Sequence, residues 1–374
     1  MAELETTEVA AGQSPGPSRP VVAGSAAPAD RRLPGAVRRL YPGYFALVMA
    51  TGIVSTGTHE IGLPRLSAVL VAVGIACFGV LVVVYAWRAA QFSRELLADL
   101  EAPDRAYAFF TFVAACNVLG ARLATDGHIG ATAALAAAGF VAWLALSYGV
   151  PMRLILGPRP RPVLVGVNGT WFIWVVGTQS LAVAATALGT ARPDHLRLAA
   201  LAAVLTWSVG VVLYLIVATL VLVRLLLLEV RAEDLTPPYW VTMGATAITV
   251  FAAARIATMA DAPAIEATRP VVVGLGVVLW AFGTWLIPLL IAFGVWRHLL
   301  RRVPVRYQPP LWSIVFPLGM YAVASIELGT AAELPIVGQI GRAWVWVGLG
   351  AWAVVFAAML TTLASAALAM RRAS

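Results

Sequence analysis

Two neighbouring stretches decide the fold: VLVGVNGTWFIWVVGTQSLAVAATAL at residues 163–188 and RLAALAAVLTWSVGVVLYLIVATLVLVRLLLL at residues 197–228. Each is longer than the roughly 20 apolar residues that an α-helix needs to cross a bilayer. The first carries Asn168 and Gln179 among its apolar residues, whereas the interior of the second holds no amide or charged residue before Arg224. Because strongly polar side chains are costly in lipid, we expect the first helix inside a bundle and the second at its lipid-facing surface.

The same alternation extends along the chain. Ten apolar stretches are long enough to span a membrane, and the odd-numbered ones carry Asn, Gln, Arg or Glu in their interiors. Short loops between them favour antiparallel neighbours. The sequence therefore predicts an all-α integral membrane protein of ten transmembrane helices as five helical hairpins, with odd-numbered helices forming an inner pore ring and even-numbered helices an outer ring. The predicted spans are 41–63, 66–87, 105–124, 129–150, 163–188, 197–228, 239–260, 270–297, 309–330 and 342–370.

The composition is that of a membrane protein. Hydrophobic residues make up 61% of the chain and charged residues 12%, and the mean hydropathy is +0.86. A soluble domain has about 25% charged residues. We expect residues 35–374 to form one ten-helix transmembrane domain in the lipid bilayer. Residues 1–34 are rich in Ala, Pro, Gly, Ser and acidic residues, and we expect them to form a disordered cytoplasmic tail.

The formal charge of +8 does not indicate a nucleic-acid partner, because the basic residues lie in loops between apolar spans. All 26 basic residues are Arg, which is typical of a GC-rich bacterial genome, and most fall on the side that also holds both termini. Positively charged loops mark the cytoplasmic side of a membrane protein. We therefore expect a multi-pass protein of the bacterial cytoplasmic (inner) membrane, with the N and C termini in the cytoplasm.

Charged and polar residues collect near the outer ends of the odd-numbered helices. Counting from the start of each span at 1.5 Å per residue brings five residues to a similar depth. Two Arg against one carboxylate predict a net positive mouth, in which Arg122 and Arg255 attract or bind anions. Alternatively, one Arg pairs with Glu327 and serves only to stabilise the bundle. Glu327 and His59 are the candidate titratable groups or ion-pair partners. The five residues are His59, Arg122, Gln179, Arg255 and Glu327.

The middle of the odd-numbered helices offers hydroxyl and amide groups but no acidic residue or His. Such groups solvate an anion weakly without trapping it, and the missing titratable groups favour passive flux over proton coupling. Pro317 should kink the ninth helix. Phe316 beside it either projects into the conduit or is an ordinary packing aromatic. The candidate pore-lining residues are Thr51, Ser55, Thr111, Asn117, Asn168, Thr170, Thr246 and Pro317.

Other kinds of site find no support in the sequence. The four histidines lack the spacing of metal ligands. Gly274 and Gly276 lie within an apolar span rather than in a strand-to-helix turn, so nucleotide binding is not expected. Cys77 and Cys116 lie in apolar helices and are expected to be small core residues. We expect no enzyme activity, no metal and no cofactor.

Three segments resemble a known family. PGYF at residues 42–45 and VMATGIVS at residues 48–55 are similar to the first-helix signature of the tellurite-resistance/dicarboxylate transporter family, and WSIVFPLGM at residues 312–320 resembles a second pattern of it. The family includes bacterial tellurite-resistance proteins, fungal malate and sulfite transporters, and plant slow anion channels. The resemblance implies a homotrimer with one pore per subunit and a pore-occluding phenylalanine at Phe316. It also implies small anionic substrates: inorganic anions, sulfite or four-carbon dicarboxylates.

Two transport hypotheses follow. The first is passive transmembrane transport of small anions through a per-subunit pore, drawn by Arg122 and Arg255 and occluded by Phe316. The second is a proton-coupled dicarboxylate or sulfite secondary transporter, in which Arg255 or Arg122 holds the carboxylate and Glu327 or His59 titrates. Flux that requires a pH gradient at fixed voltage favours the second hypothesis. A membrane enzyme or receptor has no catalytic constellation or large loop to support it.

Overall fold

The computed structural model describes residues 33–157 and 162–373, and within these ranges the chain is helical without a strand. The predicted tail, residues 1–34, lies outside the described residues except for its last two. The α-helices are α1 (Leu33–Arg38), α2 (Ala46–Glu60), α3 (Pro64–Gln91), α4 (Ser93–Glu101), α5 (Phe110–Thr125), α6 (Ile129–Leu156), α7 (Phe172–Ala191), α8 (Leu196–Leu227), α9 (Val241–Ala257), α10 (Pro263–Val295), α11 (Trp312–Ala331) and α12 (Pro335–Ala373).

Nine helices in the described part of the chain are long and apolar enough to cross a membrane, so the protein is a multi-pass integral membrane protein. The remaining predicted span, 41–63, contains α2, which has only 15 residues because a turn occupies residues 42–45. Two other helices begin earlier than predicted, α10 at Pro263 and α12 at Pro335. Proline is well tolerated in the first turn of a helix, so these residues start helices rather than separate them.

The alternation in polarity corresponds to an alternation in burial. In the most apolar 18 residues of α5, α7, α9 and α11, between 72% and 83% are buried, compared with 11% to 28% in α3, α6, α8, α10 and α12. Most residues of α2 are buried as well. We call α2, α5, α7, α9 and α11 the inner helices, and α3, α6, α8, α10 and α12 the outer helices.

The inner helices contact one another in a closed ring, in the order α2, α5, α7, α9, α11 and back to α2. Neighbours in the ring run in the same direction. For example, Gly244 of α9 lies against Pro317 of α11, and eleven residues beyond Gly244, Arg255 of α9 pairs with Glu327 of α11. The carboxyl ends of the inner helices therefore lie together at one end of the ring, which we call the carboxyl end; the opposite end is the amino end.

Each outer helix packs against the inner helix that precedes it in the chain, and a glycine lies at the contact. A methyl group on Gly139 would meet the Asn117 side chain at 3.0 Å, and one on Gly283 would meet Thr246 Oγ1 at 2.5 Å. Removing the side chain lets two helices approach closely, as is common in membrane proteins. The five contacts, inner residue first, are Thr51 with Gly74, Asn117 with Gly139, Gln179 with Gly210, Thr246 with Gly283, and Gly319 with Gly348.

An aromatic residue lies about one turn from each of these glycines and contacts the next inner helix of the ring. On four outer helices it is a tryptophan whose indole N–H donates a hydrogen bond across the seam; on α3 it is Phe78, which stacks on Phe112 of α5 with ring centroids 6.1 Å apart. The five pairs of inner and outer helices thus repeat one packing unit. The four bonds run from Trp143 to Thr178 Oγ1, from Trp207 to the Thr249 carbonyl, from Trp280 to Ser325 Oγ, and from Trp352 to Thr51 Oγ1.

Candidate functional site

A cavity of about 40 Å³ lies inside the ring at its carboxyl end. All five inner helices line it, and no outer helix does. A space of this size holds a few water molecules or one small ion. The lining residues are Ile53, Thr56, Glu60, Val118, Ala121, Arg122, Thr125, Val183, Ala187, Phe251, Arg255 and Glu327.

The cavity has a polar rim and an apolar floor. On each of α2, α5 and α9, a charged lining residue follows an apolar one by four to seven positions, which places the charge nearer the carboxyl end. The rim therefore holds Glu60, Arg122, Arg255 and Glu327. The floor, toward the amino end, consists of Ile53, Val118, Val183 and Phe251.

Arg122 lies in the rim, and each of its guanidinium nitrogens makes a hydrogen bond or an ion pair. Its side chain is 2% exposed, its Nη2 donates to Ser67 Oγ at 2.8 Å, and its Nε donates to the hydroxyls of Ser55 and Ser67 at 3.2 Å. Its Nη1 pairs with Asp126 Oδ1 at 2.9 Å and also donates to Thr125 Oγ1. The guanidinium therefore ties α5 to α2 and α3, besides facing the cavity.

Arg255 is held less firmly than Arg122. Its Nη1 lies 3.4 Å from Glu327 Oε1, beyond the usual distance for a charge-assisted hydrogen bond. The Arg255 side chain is 31% exposed and that of Glu327 is 16% exposed. This pair, unlike the Arg122 network, leaves guanidinium donors directed at the cavity without a protein partner among the described residues.

The structure corrects the predicted charge of the mouth. The prediction counted two Arg against one carboxylate, but Asp126 pairs with Arg122, and Glu60 joins Glu327 in the cavity wall. Two arginines thus face two lining carboxylates, with Asp126 beside them. The i,i+4 spacing of Arg122 and Asp126 was the available signal for that pair. His59 is exposed and is not part of the lining.

Three of the predicted pore-lining residues turn toward outer helices instead. Thr51 accepts the Trp352 indole bond, Thr246 lies against Gly283, and Asn117 lies against Gly139 while its Nδ2 donates to Ser180 Oγ at 2.9 Å. Their polar groups form hydrogen bonds or lie buried between the inner and the outer helices. A buried hydrogen bond between helices is as good a reason for a polar residue in a membrane helix as contact with water.

The other predicted lining residues lie at several depths. Asn168 and Thr170 lie in the turn before α7, at the amino end, where both donate to the Asp104 carbonyl. Thr111 donates to the carbonyl of Ala108, and Ser55 belongs to the Arg122 network. Among these residues, the structure brings none into the lining of the cavity. Pro317 packs against Gly244, between α11 and α9.

Phe316 lies on α11 nearer the amino end than the cavity, and it is not one of the cavity's lining residues. It is fully buried and precedes Glu327 by eleven residues, which is three helical turns, so both share one face of α11. Phe251 of α9 reaches the cavity itself and was not singled out from the sequence. A lone Phe in an apolar helix carries no signal of its direction, but its position four residues before Arg255 gives it the same face. Glu60 was overlooked in the same way.

The described residues contain no group of three or more His, Cys, Asp or Glu side chains placed to hold a metal ion. Cys77 and Cys116 are free thiols in apolar surroundings. The chemical content of the cavity is therefore two guanidinium groups, two carboxylates, two threonine hydroxyls and an apolar floor. Such a set can bind and orient a small charged solute.

Comparison with known proteins places this arrangement in context. The chain is 57% identical over 153 residues to an uncharacterized membrane protein of Mycobacterium tuberculosis, covering 41% of this chain and 78% of that protein. Two uncharacterized transporters of Methanocaldococcus jannaschii are similar over 85% of this chain, one at 27% identity over 92% of its length and the other at 23% over 93%.

A family description fits most of the chain. Residues 39–360 match the sequence profile described as voltage-dependent anion channel. That range includes all five inner helices, the cavity and Phe316. The family resemblance predicted from the motifs at residues 42–55 and 312–320 is thereby confirmed. The protein belongs to the voltage-dependent anion channel family, whose function is transport of anions across a membrane.

Proposed function

We propose that the protein conducts small anions passively across the bacterial cytoplasmic membrane, through the interior of the inner ring. The observation that carries this proposal is a cavity lined by all five inner helices, in which Arg255 keeps guanidinium donors without a protein partner among the described residues. An enclosed site in a water-poor interior strengthens the attraction between guanidinium groups and an anion. The family match supports the same conclusion.

In this proposal all ten predicted spans cross the bilayer as five hairpins, including the short α2. The many Arg of the amino-end loops favour a cytoplasmic location of that end and of both termini, with the cavity on the opposite side. The family resemblance supports a homotrimer in which each subunit has its own pore. Arg255 is the first group an entering anion meets that has donors to spare, while Arg122, paired with Asp126, holds the cavity wall together.

Phe316 closes the proposed pore below the cavity. Its complete burial and its position on the Glu327 face of α11 support this role. The test is chloride flux into liposomes containing the purified protein, measured with a halide-quenched dye at equal pH on both sides. Phe316→Ala should raise the flux several-fold, whereas Phe140→Ala, which removes a 45% exposed ring from outer helix α6, should not. Unchanged flux in a folded Phe316→Ala protein would refute the gate.

A second candidate function is proton-coupled transport of a dicarboxylate or sulfite. The loose Arg255–Glu327 pair favours it, because protonation of Glu327 releases the Arg255 guanidinium to bind a carboxylate. In that case flux of malate or sulfite at clamped voltage should follow an imposed pH gradient and lose this dependence in Glu327→Gln. Chloride flux that follows voltage and ignores the pH gradient supports the passive pore instead.

A further inference from the structure

The floor of the carboxyl-end cavity closes the ring independently of Phe316. Its four side chains come from four different inner helices, and their exposed fractions are 1% for Ile53, 3% for Val118, 2% for Val183 and 7% for Phe251. We propose that these residues form a second hydrophobic gate, with Phe251 as its moving part. The inference rests on the proposed passage of anions through the ring.

The two barriers lie at different depths. Gly244 of α9 is level with Pro317 of α11, because a methyl group on Gly244 would meet Pro317 Cγ at 2.7 Å. Phe251 follows Gly244 by seven residues and Phe316 precedes Pro317 by one. The two aromatic residues are therefore separated by eight residues along parallel helices, or about 12 Å at 1.5 Å per residue. That is too far for one ring to substitute for the other.

Ile53 and Val118 of the floor meet at nearly one level. A methyl group on Gly52 would lie 3.3 Å from Val118 Cγ1, and one on Gly319 would lie 3.0 Å from Ile53 Cγ2. These contacts put Ile53 and Val118 between Phe316 and Phe251 in depth. Helical side chains lean toward the amino terminus of their helix, so the Phe251 ring reaches down toward them. Ile53, Val118 and Phe251 therefore lie close in depth on the apolar side of the cavity.

Phe251 is the member of the floor best able to move. Ile53, Val118 and Val183 are β-branched, and a helix restricts such side chains to essentially one χ1 rotamer. Phe251 is the largest of the four, has the highest exposed fraction, and is free of that restriction. Rotation of one ring would open the floor without displacement of a helix.

A closed apolar layer stops ions by excluding the water that must accompany them. An anion bound near Arg255 lies one helical turn above Phe251, directly over the barrier. Two barriers in series limit flux jointly. Removing one raises the flux only as far as the other barrier permits, and removal of both frees the path. The variants Phe251→Ala and Phe316→Ala should therefore reinforce each other rather than act independently.

The test compares chloride flux in liposomes for the wild type, Phe251→Ala, Phe316→Ala and the double variant, with Phe140→Ala as control. We expect the double variant to exceed the product of the two single effects by about tenfold, equivalent to about 1.4 kcal/mol of coupling in the barrier. Phe251→Trp in the Phe316→Ala background should lower the flux again. This larger residue tests the gate even if Phe251→Ala is unstable. Size-exclusion chromatography and helical circular dichroism check folding.

The outcomes separate the gate from the proposed function. If Phe316→Ala raises flux while Phe251→Ala and Phe251→Trp change nothing in the Phe316→Ala background, the second gate is refuted and the anion pore stands. If the folded double variant carries no chloride, nitrate or sulfite current, anion conduction itself is refuted. A double variant equal to Phe316→Ala alone also overturns the second gate, because it makes Phe316 the sole barrier.

Discussion

Arg255 Nη1 lies 3.4 Å from Glu327 Oε1 across the mouth of the ring, between neighbouring parallel helices α9 and α11. The pair is looser than that of Arg122 with Asp126, whose atoms lie 2.9 Å apart. A more firmly held arginine, Arg122, lies in the same wall with every nitrogen bonded. Arg255 is therefore suited to binding a solute, and Arg122 to stabilising the packing of the helices that form the cavity wall.

Neutralising Glu327 should strengthen anion attraction at the mouth. In Glu327→Gln, Arg255 loses its counter-charge, and removal of one charge a few ångströms from the path changes the anion energy by about 1 kcal/mol. Chloride flux at low ionic strength should rise about fivefold, and less at 0.15 M salt because screening weakens the effect. The matched control is Glu266→Gln, which removes an exposed charge at the start of α10. A fall in chloride flux would point to the coupled carrier instead.

Arg122 should matter more for stability than for attraction of anions. Arg122→Gln removes bonds to Ser55, Ser67 and Asp126, and hydrogen bonds to a charged group contribute about 2 kcal/mol each. The protein should unfold at a clearly lower temperature in detergent. Arg342→Gln serves as control, because Arg342 makes one bond of 3.3 Å to the Glu60 carbonyl at the surface. Equal melting temperatures for the two variants would contradict the assigned role.

The glycine contacts between inner and outer helices predict a specific clash. In Gly283→Ala the new methyl would meet Thr246 Oγ1 at 2.5 Å, so α10 must shift away from α9 and thermal stability should fall. The double variant Gly283→Ala with Thr246→Ala should recover most of the loss, since the clashing oxygen is removed. Gly274→Ala is the control on the same helix, where a methyl meets nothing within 4 Å. A loss of stability in Gly274→Ala equal to that in Gly283→Ala would show that the seam contact is not the cause.

The indole hydrogen bonds should each stabilise the layered packing. Trp352→Phe removes the bond of 3.0 Å to Thr51 Oγ1 while retaining an aromatic ring, and should lower stability by about 1 kcal/mol. Trp285→Phe on α10 replaces an indole that is 64% exposed at the lipid-facing surface and should leave the melting temperature nearly unchanged. The melting temperatures of both variants are measured by light scattering during heating, because this signal does not depend on tryptophan fluorescence. If the two variants melt together, the seam bond contributes little.

The polar residues in the middle of the inner helices could not be oriented from the sequence. Thr51, Asn117 and Thr246 do mark helices that lie inside the bundle, as predicted, but their side chains face the outer helices. A helix surrounded by other helices has partners in several directions, so a polar residue shows that burial exists without showing which neighbour receives it. The cavity lies instead at the carboxyl end of the inner helices, where their charged residues are.

The sequence by itself determined the membrane location, the positions of the helices and which of them are buried, because the cost of placing amide and charged groups in lipid sorts helices by composition. It also carried the family motifs at residues 42–55 and 312–320. Only the tertiary structure decided that Asp126 neutralises Arg122, that Glu60 and Phe251 face the cavity, and that the central threonines and Asn117 seal the two layers together. Those facts depend on the rotation of each helix about its axis, which is set by contacts with residues far away in the chain.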